Sequence, residues 1–120
     1  MTRRILIVED VALVAMDLEM QATDAGWTVI GPASTIEQAL HLVATAAFDA
    51  ALLDVQLTDS LITPVAQALR ARGVPFVFGS GHRTQAVLPA EFADAPCLEK
   101  PFAFAEVERL LADARVRTAA

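Results

Sequence analysis

The chain has 120 residues, 55% of them apolar and 20% charged, with a net charge of −6. That length suits one domain rather than two, and the apolar content argues against long disordered tails. The negative balance works against nucleic acid phosphates, so direct nucleic acid binding is not expected; the apolar runs are far shorter than the roughly 20 residues of a membrane span.

The basic start, Met1-Thr2-Arg3-Arg4, is followed by only four apolar residues before Glu9 and Asp10 interrupt them. A secretory signal is therefore not expected, and the cytoplasm is the expected compartment. Arg4–Val8 reads as a first strand and Trp27–Gly31 as a second, each a short apolar run bounded by Gly, Pro or polar residues. Behind Ser34, with Glu37 three residues on, Ile36, Ala39, Leu40, Val43 and Ala47 recur at helical spacing and predict a capped second helix. Ala50–Leu53 is a third strand. Thr63 followed by Pro64 predicts a cap and first-turn proline for a third helix through Val65, Ala68 and Leu69, ending at Gly73. Pro75–Phe78 is a fourth strand. In His82–Ala95 the proline at position 89 interrupts any helix, so a short or irregular element is expected there. Cys97–Glu99 is a fifth strand, and Phe104, Val107, Leu110, Leu111 and Ala114 mark a closing helix. The single cysteine, Cys97, can form no internal disulfide, which agrees with a reducing compartment.

Five strands alternating with helical segments predict an α/β fold: a (βα)5 flavodoxin-like, doubly wound parallel sheet in the order 2-1-3-4-5. Unbroken apolar strands suit a sheet covered on both faces. Ligands of such sheets sit beyond the carboxyl ends of the strands, near the switch between strands one and three.

Four strands deliver a polar residue to that edge: Glu9 and Asp10 after the first, Asp54 after the third, Ser80 after the fourth and Lys100 after the fifth. Three carboxylates in one crevice repel one another unless a cation lies between them, and an all-oxygen set that retains water suits Mg²⁺. Such a set can receive a phosphoryl group: Asp54 as the acceptor, Lys100 offsetting phosphoryl charge, and the Ser80 hydroxyl donating to a phosphoryl oxygen. Taken singly, these residues have plainer readings. Glu9-Asp10 alone is a capping turn, Lys100 a surface charge and Ser80 a turn residue; their placement at matching strand ends is what carries the chemistry.

The strings ILIVEDVALVAMDLE, ALLDVQL and EKPF resemble response-regulator receiver domains of two-component systems, and the resemblance covers essentially the whole chain, 1–120. It implies that Asp54 is phosphorylated by a histidine kinase, that Mg²⁺ is held by Glu9, Asp10 and Asp54 with the backbone carbonyl of Gln56 as a further protein ligand, and that the Lys100–Pro101 peptide is cis. PFVFGSGH at 75–82 is similar to an alphaproteobacterial subgroup of stand-alone receivers marked by a Phe-Ala-Thr-Gly-any-Tyr motif, with Gly79 for Ala, Ser80 for Thr and His82 for Tyr. That likeness implies a sensor kinase of the HWE or a related class. Most receivers carry an aromatic residue three positions before the lysine; here it is Cys97, so the switch is expected to run through the segment after strand four, which Gly79 and Gly81 leave able to rearrange.

His82 is read as a loop residue, His41 as a surface residue and Cys97 as a small core residue. The aromatic residues are expected to lie mostly in the core, with the stretch around Phe92 partly exposed as a contact surface. Three functions compete. A phosphorylated signalling receiver, catalysing only its own phosphorylation and dephosphorylation, acts through a downstream protein or as a phosphate sink. A pseudo-receiver binds protein constitutively, but no phosphorylation residue is missing. An aspartyl-phosphate phosphatase normally needs a second acid where Gln56 stands.

Overall fold

The computed structural model describes residues 3–57, 60–80, 90–92 and 95–119. In chain order the elements are β1 (Arg3–Val8), α1 (Ala12–Asp24), β2 (Trp27–Ala33), α2 (Ile36–Thr45), β3 (Ala50–Asp54), β4 (Gln56–Leu57), β5 (Ser60–Leu61), α3 (Thr63–Ala71), β6 (Phe76–Ser80), a 3₁₀ turn (Ala90–Phe92), β7 (Cys97–Glu99) and α4 (Phe104–Ala119). Five strands form a parallel sheet in the order β2-β1-β3-β6-β7. This is the predicted 2-1-3-4-5 order, with β6 and β7 as its fourth and fifth strands.

Side chains alternate across the sheet, and both faces are covered, which explains why the strands read as unbroken apolar runs. Leu6, Val8, Ala51, Leu53, Phe76 and Phe78 point to one face and pack on Ala39 and Val43 of α2 and on Val65, Ala66 and Leu69 of α3. Ile5, Ile7, Ala50, Leu52 and Val77 point to the other, against Leu18 and Ala22 of α1 and Phe104, Val107 and Leu111 of α4.

The caps differ in detail from the sequence reading. The N-cap of α2 is Thr35, not Ser34: its hydroxyl accepts the Gln38 N–H at 3.1 Å, while the Gln38 side chain reaches back to accept the Ser34 N–H at 2.9 Å. The capping box is therefore built from Thr35 and Gln38, one residue further along, and Glu37 simply sits in the acidic first turn. At α3, Ile62 is the cap, Thr63 lies inside the helix and Pro64 occupies its first turn. Gly73 ends that helix with φ +72°, the left-handed conformation glycine accepts most easily. The short antiparallel pair β4–β5 had no signal in the sequence.

Of the irregular segment before β7, residues 90–92 form the 3₁₀ turn; His82, Gly81 and Pro89 lie outside the described residues. Phe92 is only 1% exposed, so that side chain offers no contact surface. Its ring meets Phe76 and Phe78 edge to face, with centroids 6.0 and 5.9 Å away, and the Arg70 guanidinium lies 4.5 Å over its face. Arg70 also donates to the Glu91 carbonyl at 2.8 Å. The turn is thereby pinned to α3 and β6. His41 is exposed, as expected, whereas Cys97, expected in the core, is half-buried at the edge of one core cluster.

Phe78 is fully buried at the centre of this aromatic group. Phe78→Ala should lower the free energy of unfolding by about 3–5 kcal/mol through lost burial and a residual cavity, measured by urea denaturation.

Candidate functional site

The parallel register brings the candidate site residues to one edge. Asp54, the last residue of β3, pairs with Gly79 of β6, and Ser80, the last residue of β6, pairs with Glu99 of β7. Backbone hydrogen bonds continue to the rim: Val55 N–H donates to the Gly79 carbonyl at 3.0 Å, Lys100 N–H to Ser80 at 2.8 Å and Glu9 N–H to Ala33 at 2.9 Å. Each of these strand ends is thus held by a ladder bond at or beside the candidate residue.

Glu9, Asp54 and Ser80 are buried, at 2%, 7% and 3% exposure, and Asp10 is partly exposed at the mouth. One oxygen from each of Glu9, Asp10 and Asp54 can lie within 4.8 Å of the others, a spacing that fits a single cation. Lys100 bridges the two buried carboxylates: its Nζ is 2.5 Å from Glu9 Oε1 and 3.4 Å from Asp54 Oδ1. The other oxygen of Glu9 accepts the Val11 N–H at 3.1 Å, so the same carboxylate ties the lysine to the start of α1. The Lys100–Pro101 peptide is cis. Gln56 opens β4, two residues after Asp54, and pairs with Leu61.

Burial raises the Asp54 carboxyl from its ordinary 3.8 to about 7; the neighbouring Glu9 charge adds to the rise, and Lys100 opposes it. A carboxylate with that environment gains most from a divalent cation, and the donor set is all oxygen, as Mg²⁺ requires. The residues present therefore fit a Mg²⁺ ion.

The sequence reading did not find a surface on α1. Leu13, Met16 and Met20 are 78%, 58% and 64% exposed. Spaced three and four apart, they form one apolar stripe on the helix that begins just after Asp10. Their helical spacing was visible in the sequence, but it duplicates that of Ala15, Leu18 and Ala22, which are the residues turned inward.

No family model matches the chain. Among solved structures, SdrG from Sphingomonas melonis Fr1 superposes with a TM-score of 0.81 at 40% identity, covering 92% of this chain and 97% of that one. The chain belongs to the response-regulator receiver family. The BeF₃-activated conformation of SdrG, its source given as Pseudomonas melonis Fr1, matches with a TM-score of 0.75 at 40% identity over 97% and 99% of the two chains. The phyllosphere-induced regulator PhyR of Methylorubrum extorquens is 32% identical over 117 residues, 95% of this chain and 44% of its own length. The chain thus spans less than half of that curated relative. This receiver is a two-component signalling domain, and among the described residues no helix is long and apolar enough to cross a membrane.

The Asp54 environment sets a pH dependence. Because its folded pKa lies above the unfolded one, ionisation costs stability: the contribution is whole below pH 3.8 and is lost as pH rises through about 7. Asp54→Asn, which keeps the neutral shape, should therefore stabilise the metal-free protein little at pH 4 and by roughly 2–4 kcal/mol at pH 8. Thermal melts in EDTA across that range measure the difference.

Proposed function

We propose that Asp54 accepts a phosphoryl group from a histidine kinase and that this receiver signals through the phosphorylated form. The observation that carries the reading is the buried Asp54 carboxylate grouped with the oxygens of Glu9 and Asp10 and within reach of the Lys100 ammonium. One Asp54 oxygen attacks the phosphorus of the donor in line, its P–N bond to the kinase histidine breaks, and the imidazole leaves with the bonding pair. Lys100 offsets charge on the phosphoryl oxygens, and the Ser80 hydroxyl, buried at the end of the neighbouring strand, donates a hydrogen bond to one of them. Glu9, Asp10, Asp54 and the Gln56 carbonyl would hold Mg²⁺; when bound, the ion would offset phosphoryl charge and favour the ionised form of Asp54.

Receiver domains partner with histidine kinases and downstream proteins. For this one we propose a kinase of the HWE or a related class, acting in the cytoplasm, with output through a phosphorylation-dependent protein contact or as a phosphate sink. Residues 1–120 act as a single receiver domain. The donor histidine must reach Asp54 from the rim, beside which α1 begins. Support comes from SdrG, whose likeness extends to its BeF₃-activated conformation. Phosphorylation is expected to alter the segment after β6: Cys97 has neither ring nor hydroxyl, so the response runs from Ser80 into residues 81–92.

Asp54→Asn should abolish acid-stable, base-labile labelling from acetyl phosphate or a kinase, and Asp10→Ala or EDTA should suppress it with Asp54 intact. Full labelling in either case would refute the acceptor or the metal assignment respectively. Ser80→Ala should weaken the NMR response of residues 79–92 to beryllofluoride while Asp54 still takes label; Cys97→Ala should lower stability by packing loss and leave that response in place.

A further inference from the structure

Lys100 is the only lysine in the sequence, and the proposed chemistry asks it to hold one position between two carboxylates. A lysine side chain has four rotatable carbon bonds and loses roughly 2 kcal/mol of rotamer freedom when fixed, so something must wall in its methylenes. Gly79, opposite Asp54 in the sheet, shows what does. A Cβ built on Gly79 would lie 3.1 Å from Cε2 and Cζ of Phe102 and 3.8 Å from Cε of Lys100. The edge of the Phe102 ring and the Lys100 methylene therefore share the space over this glycine, a space that any other residue would fill with its own side chain.

Phe102 is only partly buried. It packs against the cluster of Leu18, Val77 and Val107, and it also lines a cleft of about 240 Å³ together with Leu13, Val14, Asp17, Leu18 and Lys100. The ring thus meets Gly79 on one side and the core cluster on another, with the cleft beside it. Pressure from a Cβ at position 79 would be relieved by moving the ring toward the cleft, which Lys100 also lines, and so would disturb the packing that the two side chains share over this glycine.

We propose that Phe102 is a positioning residue for Lys100: its ring, seated over Gly79, confines the lysine methylenes and keeps the ammonium aimed at Asp54. The proposal rests on the reading of Asp54 as phosphoacceptor for its effect on rate, but not for its effect on the lysine. Phe102 touches no reacting atom; it acts through Lys100, and it can do so because residue 79 has no side chain.

The test compares wild type with Phe102→Ala, Phe102→Leu and Gly79→Ala. With lysine carrying ¹³C at Cε, the single lysine gives one methylene signal, and its relaxation reports the mobility of this side chain without metal or phosphodonor. Labelling by acetyl phosphate with Mg²⁺ gives the maximal rate and half-saturation separately, and thermal melts report stability. Phe102→Ala should free the Lys100 methylene and lower the maximal labelling rate about tenfold with little change in half-saturation, the scale expected when a reacting group loses its alignment. Phe102→Leu, which refills the space, should restore both to within about threefold of wild type. Gly79→Ala should mobilise the lysine at near-wild-type stability, and it decides the matter should Phe102→Ala fail to fold. A Lys100 methylene equally restrained in Phe102→Ala and Gly79→Ala, or a rate that follows melting temperature rather than lysine mobility, would overturn the proposal. If wild type takes no label, the acceptor reading fails, and the relaxation contrast alone still decides whether Phe102 restrains Lys100.

Discussion

Two carboxylates buried side by side and bridged by one ammonium group are the arrangement on which this receiver is organised. Glu9 and Asp54 are both under a tenth exposed, and in such surroundings two negative charges are costly to keep together. Lys100 reaches both, yet Asp54 is still pushed up to about 7, so the lysine only partly compensates. The remaining imbalance disposes the site to take up positive charge. Stability is given up at the site where the proposed chemistry occurs.

The parallel sheet makes that arrangement affordable. Apolar residues on both faces of β1, β3 and β6 bury the strands between two helical layers, leaving polar residues only where the strands end. Ladder hydrogen bonds running to Val55, Lys100 and Glu9 hold the strand ends in register, so carboxylates and ammonium meet without a mobile loop. Opposite this rigidity, the 3₁₀ turn is fastened through Phe92 and Arg70 to β6 and α3.

Gly79 stands where the related motif has alanine, and Phe102 occupies the space so released. A substitution that reads as a simple loss of a methyl group in the sequence is, in three dimensions, a seat for an aromatic ring beside the one lysine.

Strand positions, sheet order and the acidic pair, Asp54, Ser80 and Lys100 could all be read from the sequence, because period, run length and strand ends are local properties that fix which residues arrive at a given edge. Capping was read one residue early at Ser34, since neighbouring hydroxyl residues compete for the same amide and only the entry angle of the chain chooses Thr35. The inward face of α1 was undetermined for a similar reason: Ala15, Leu18, Ala22 and Leu13, Met16, Met20 share one helical period, and packing against β1 and α4 selects the first set. What depended on contacts between distant segments belonged to tertiary structure alone. The raised Asp54 pKa, the double engagement of Lys100 and the ring over Gly79 arise from residues far apart in the chain, whose distances no local pattern encodes.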